Sequence, residues 1–88
     1  MRFDDRFFSR EYWFSLGREE GTGKYYLSIP VSSGTVDYEE YYEIPKLTFD
    51  RFMQNPSSAV EFAEKCRRQE MDLLLIVPAP ATGRGTAV

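Results

Sequence analysis

The chain has 88 residues, 42% hydrophobic, 16% aromatic and 28% charged, with a formal net charge of −3. A chain of this length makes one domain that buries only about 60–65% of its unfolded surface, so its core is thin. The aromatic content excludes a disordered chain, and the acidic balance disfavours non-specific binding to nucleic acid or an anionic membrane, both of which need a basic surface.

The single cysteine, Cys66, excludes an internal disulfide, so a reducing, cytoplasmic compartment is expected. The opening residues Met1-Arg2-Phe3-Asp4-Asp5-Arg6 carry no apolar h-region of a signal peptide. The longest apolar run, Leu73 to Ala79 with a proline inside, is too short to span a bilayer, and no membrane partner is expected.

Residues 1–9 hold Phe3, Phe7 and Phe8 among charges and are expected to pack as a short turn of helix. From Arg10 to Arg18, Tyr12, Phe14 and Leu16 alternate with Trp13 and Ser15, which predicts a strand. Glu19-Glu20-Gly21-Thr22-Gly23 reads as a turn. Lys24 to Val31 predicts a second strand, with Tyr25, Leu27, Ile29 and Val31 on one face and Tyr26, Ser28 and Pro30 on the other. Ser32-Ser33-Gly34 is a second hairpin signal. Thr35 to Ile44 predicts a third strand, with Val36, Tyr38, Glu40, Tyr42 and Ile44 opposite Asp37, Glu39, Tyr41 and Glu43. Short loops joining these strands make an antiparallel meander.

Pro45 closes the sheet segment, and Leu47, Phe49, Phe52 and Met53 predict a short helix. Asn55 as N-cap and Pro56 at the first helical position open a second helix running to about Gln69. Ala59, Phe62, Ala63 and Cys66 form its buried stripe. Leu73-Leu74-Leu75-Ile76-Val77 predicts a central strand covered on both faces. The order β-β-β-α-α-β is an α+β fold: a three-stranded meander, two helices on one face, and a final C-terminal strand. Residues 1–77 are the expected domain, and residues 78–88 a Pro/Gly-rich tail.

Little in the chain points to catalysis. Gly21-Thr22-Gly23-Lys24 resembles part of a phosphate loop, but Arg18 stands where the first glycine belongs, Tyr25 follows the lysine, and a strand follows instead of a helix. Cys66 lies on the apolar stripe, and the chain has no histidine to activate it or to ligate a metal. A packed core thiol is the expectation, with no enzyme activity, cofactor or metal. Gly83-Arg84-Gly85-Thr86 has the composition of an anion site, but a docked or flexible terminus is the commoner use of such residues.

The informative stretch is Asp37-Tyr38-Glu39-Glu40-Tyr41-Tyr42-Glu43, four carboxylates and three tyrosines in seven residues with no cation. Period 2 places Asp37, Glu39, Tyr41 and Glu43 on one sheet face, away from the helices, and Trp13 and Tyr26 fall on the corresponding faces of their strands. The expectation is a protein-interaction module that binds a basic partner, with Asp37, Glu39 and Glu43 steering and Trp13, Tyr26 and Tyr41 anchoring. A solvated outer face and a divalent-cation site are competing readings of the same carboxylates. A self-associating homodimer using that face or an open sheet edge is the alternative function. This small, acidic, tyrosine-rich character is similar in general style to bacterial immunity or inhibitor proteins that cap basic toxins.

Overall fold

In the computed structural model, which describes residues 1–88, alternation of large apolar with small or charged side chains builds a sheet in the order β1-β2-β3-β4, all antiparallel. The strands are β1 (Phe3–Ser9), β2 (Phe14–Glu19), β3 (Tyr25–Ser32) and β4 (Asp37–Ile44). Helix α1 (Lys46–Gln54) follows, then a 3₁₀ turn at Pro56–Ala59 that leads into α2 (Val60–Arg67), a second 3₁₀ turn at Asp72–Leu74, and β5 (Thr86–Ala87). The α+β expectation holds: a meander carries both helices on one face. No helix is long and apolar enough to cross a membrane.

The core lies between sheet and helices. Phe14 and Leu16 of β2, Leu27 and Ile29 of β3, and Tyr42 and Ile44 of β4 meet Phe49 and Phe52 of α1 and Ala59, Ala63 and Cys66 beside and along α2. The two alanines leave no bulk between helix and sheet, so α2 sits close. Each fully buried large side chain in this layer contributes about 1.5–3 kcal/mol by leaving water. Asn55 does not cap a helix amide as expected; its Oδ1 accepts a hydrogen bond from the Ser57 hydroxyl.

Four expectations need correction. Residues 3–9 form a strand, not a helical turn. A β-bulge between Asp5 and Phe7 breaks the period-2 pattern, so Phe7 packs with Leu16 against the core while Phe3 points to the opposite face. Residues 10–13 are a turn, so β2 begins at Phe14. Trp13 takes the left-handed φ of 56°, an uncommon conformation for a bulky residue. Its amide donates to the Ser9 carbonyl, and Arg67 of α2 donates to the carbonyls of both Tyr12 and Trp13.

Leu73–Val77 is not a central strand. It touches the sheet through one bridge, Tyr42 to Leu75, and one hydrogen bond from the Ile76 amide to the Tyr41 carbonyl. It lies along the edge of β4 with Leu73 fully exposed, and thereby caps part of that edge.

The final strand instead comes from residues 78–88. β2 pairs with β3 only as far as Ser15 opposite Ser28, and β5 takes the vacated edge, with Ala87 opposite Val31 and Thr86 opposite Ser32. Gly85 permits this approach, since a Cβ there would lie 2.6 Å from the Ser32 carbonyl carbon. Arg84 secures the segment. It binds Glu40 through Nε and Nη2 at 2.8 and 3.1 Å, and Asp72 through Nη1 and Nη2 at 2.8 and 2.9 Å. The anion that Arg84 meets is therefore the protein's own pair of carboxylates.

Candidate functional site

The strand face turned away from the helices is the one the sequence singles out. With Tyr42 and Ile44 committed to the core, β4 projects Asp37, Glu39, Tyr41 and Glu43 the other way. The register sets Gly17 of β2 opposite Tyr26 of β3, Tyr26 opposite Glu43, Ser28 opposite Tyr41, and Pro30 opposite Glu39.

Gly17 shapes one half of this face. A Cβ at that position would lie 2.2 Å from the Asp4 carbonyl oxygen and 2.4 Å from the Tyr26 hydroxyl, so only glycine lets the Tyr26 ring lie across β2. The sheet curls there, and Phe3 of β1 reaches over to stack on Tyr41 of β4, with centroids 3.6 Å apart and planes at 12°. Tyr26 meets both rings edge-on, at 5.5 Å from Phe3 and 4.9 Å from Tyr41. The three rings form a small second core.

This corrects the expected role of Tyr26. It is fully buried and its hydroxyl donates to Asp5, so it supports the surface without being a contact residue. Burial first, then the bond to Asp5, holds that hydroxyl protonated far above the usual tyrosine range. Tyr41 is partly covered by Phe3, and burial together with the charges of Asp5 and Glu39 pushes its hydroxyl up to about 12.

The other half of the face is open. Trp13 is 52% exposed and Phe8 is 45% exposed, and their rings meet edge-to-face at 5.7 Å. Asp37 and Glu43 are exposed, the latter 3.8 Å from Lys24. Glu39 is half-buried, and its Oε1 accepts a hydrogen bond from the Ser28 hydroxyl at 3.0 Å. Burial raises the Glu39 carboxyl above the usual carboxylate range, Ser28 opposes that shift, and the charge of Asp5 adds to it. An open pocket of about 330 Å³ lies between Trp13, Pro30, Asp37, Tyr38 and Glu39, with Val88 also at its lining.

The structure thus brings Trp13, Asp37 and Glu39 together, places Glu43 and Tyr41 further along β4, and removes Tyr26 from the surface. Sequence reasoning missed Phe3, Asp5 and Phe8, because β1 was not legible as a strand. It also placed Glu40 on the inner face without its partner, Arg84. The sequence carried no clean period for β1: Phe3 and Phe7 stand four apart among charges, and the bulge after Asp5 turns them to opposite faces.

Two other features bear on chemistry. A groove of about 400 Å³ on the helical side has Phe52, Phe62 and Met71 in its wall and carries both Arg51 and Lys65 and both Glu43 and Glu61, so it favours neither sign of charge. Cys66 is fully buried, and burial pushes its thiol up to about 12, which fits a packed side chain and not a nucleophile. No three His, Cys, Asp or Glu side chains cluster closely enough to hold a metal ion. Comparison of the chain with family models, curated proteins and solved structures found no match.

Proposed function

We propose that the protein is a non-enzymatic binding module whose open sheet face docks on a basic protein. The observation that carries this reading is the union of a solvent-exposed aromatic pair, Trp13 and Phe8, with the acidic edge Asp37, Glu39 and Glu43 on a face that no helix covers. Exposed aromatics beside like charges fit a surface that another protein desolvates. The carboxylates supply complementarity to a cationic partner and speed its approach. Tyr26, Phe3 and Tyr41 act beneath the face as a rigid platform.

The test is affinity capture with the native chain and with Asp37→Lys/Glu43→Lys, two exposed positions where substitution leaves the core intact. The expected result is capture of a basic protein that falls at least tenfold in the variant and weakens as salt rises. Capture that is indifferent to both charge reversals refutes the reading.

Self-association is the second reading. It draws on the fully exposed Leu73 and on the unpaired outer edge of β1, although Asp4, Asp5 and Arg6 on that edge oppose strand pairing. Light scattering across a concentration series separates it: a concentration-independent monomer ends this alternative.

A further inference from the structure

The pocket between Trp13 and Glu39 combines features that a general docking face does not require. Its volume of about 330 Å³ is at the low end for ligand sites and has room for one long side chain. One side is formed by Trp13, whose backbone is held in place by unusual means. The backbone sits at φ 56°, the amide is tied to the Ser9 carbonyl, and Arg67 reaches from α2 to the Tyr12 and Trp13 carbonyls. A fixed backbone and the edge-on contact with Phe8 narrow the positions open to the indole, so less freedom is lost on binding. The opposite wall is acidic. Glu39 is half-buried on the strand beside Pro30, engages only the Ser28 hydroxyl, and has no cation acting on it; exposed Asp37 stands two residues along the same face. A partly desolvated carboxylate without a counter-charge is raised in energy until a cation arrives.

We infer that this pocket receives an arginine side chain of the basic partner, its guanidinium stacked on the Trp13 indole and hydrogen-bonded to the carboxylates of Glu39 and Asp37. The inference rests on the proposed docking function and names its anchor. Arginine is favoured over lysine because a planar guanidinium stacks on an indole and donates two parallel bonds to a carboxylate, whereas an ammonium is a compact, strongly hydrated charge. The lining agrees with this, since Pro30, opposite Glu39 on the neighbouring strand, offers an apolar ring beside the path of the arginine stem.

Trp13 is the only tryptophan in the chain, so its fluorescence reports on this pocket alone. The probe is a short blocked peptide, acetyl-Gly-Arg-Gly-amide, with the citrulline peptide as its neutral isostere. The arginine peptide is expected to shift Trp13 emission saturably, about tenfold more tightly than the citrulline peptide. In Glu39→Gln the response is lost while the melting temperature is maintained or raised, a combination that a purely structural Glu39 does not produce. Asp50→Asn, on the helical side, leaves the response unchanged. No saturable shift, or equal responses to both peptides, overturns the arginine pocket. If that happens while Asp37→Lys/Glu43→Lys still abolishes capture of a basic protein, the pocket falls and the docking face stands; if capture is also indifferent to charge, both fall.

Discussion

Replacing Arg84 with methionine keeps the apolar stem and removes the cation that two carboxylates share. The Asp72 arm is the weaker one: Asp72 is 41% exposed at its side chain, and an ion pair of that kind contributes about 0–1 kcal/mol. The Glu40 arm differs, because Glu40 and Arg84 are only 7% and 16% exposed at their side chains. Without Arg84, Glu40 retains one internal partner, the Tyr42 hydroxyl at 2.9 Å. Stranding a buried charge in this way costs about 3–5 kcal/mol, and the remaining Tyr42 bond places the expectation near 3 kcal/mol. Domains of this size are stable by roughly 4–13 kcal/mol in total, so the variant loses a large share. The melting temperature should fall by roughly 12–24 °C. Urea and thermal unfolding of the native chain, Arg84→Met, Glu40→Gln and the double variant form a cycle. A coupling of about 1.5–3 kcal/mol is expected, since Gln at position 40 no longer needs a counter-charge. A loss below about 1 kcal/mol in Arg84→Met, or simple additivity in the cycle, would refute the claim that residues 84–88 are held by a buried ion pair.

Gly17→Ala forces a Cβ to within 2.2 Å of the Asp4 carbonyl oxygen and against the Tyr26 ring, so β1 or Tyr26 must move. A loss of about 1–3 kcal/mol with a changed near-ultraviolet aromatic signal is expected, and an unchanged melting curve would show that the sheet does not curl there. Glu39 sets a pH dependence of opposite sign to that of a paired carboxylate. Its folded value lies above the ordinary 4.5, so the stability it permits is full below that pH and is lost as pH rises through the folded value. Glu39→Gln is therefore expected to melt higher than the native chain at pH 7, with the gap closing as pH falls below about 4.5. Equal melting temperatures across that range would show that Glu39 is not desolvated.

Period-2 alternation in Lys24–Val31 and Thr35–Ile44 was enough to assign two strands and the faces of their residues from Tyr25 and Asp37 onward, because a pleat leaves a side chain no other choice; Val36 lies before β4 and is exposed. The apolar spacing of Ala59, Ala63 and Cys66 likewise placed one stripe of α2 against the sheet. Local pattern was silent wherever an irregular element or a distant residue decided the outcome. A bulge conceals β1, and β5 is only two residues long, too short to carry a period. Five aliphatics at 73–77 read as a buried strand, yet β4 offers them little more than an edge, and Leu73 is left in water. Tyr26 is on the face that its parity dictates, but its burial depends on the missing side chain of Gly17 and on a ring from β1. Glu40 lies inward by the same parity, and what makes it tolerable there is an arginine 44 residues further along. Alternation along a strand records the direction in which each group points; what lies against it is decided only when strands curl and chain ends return, because those contacts join residues that share no local pattern.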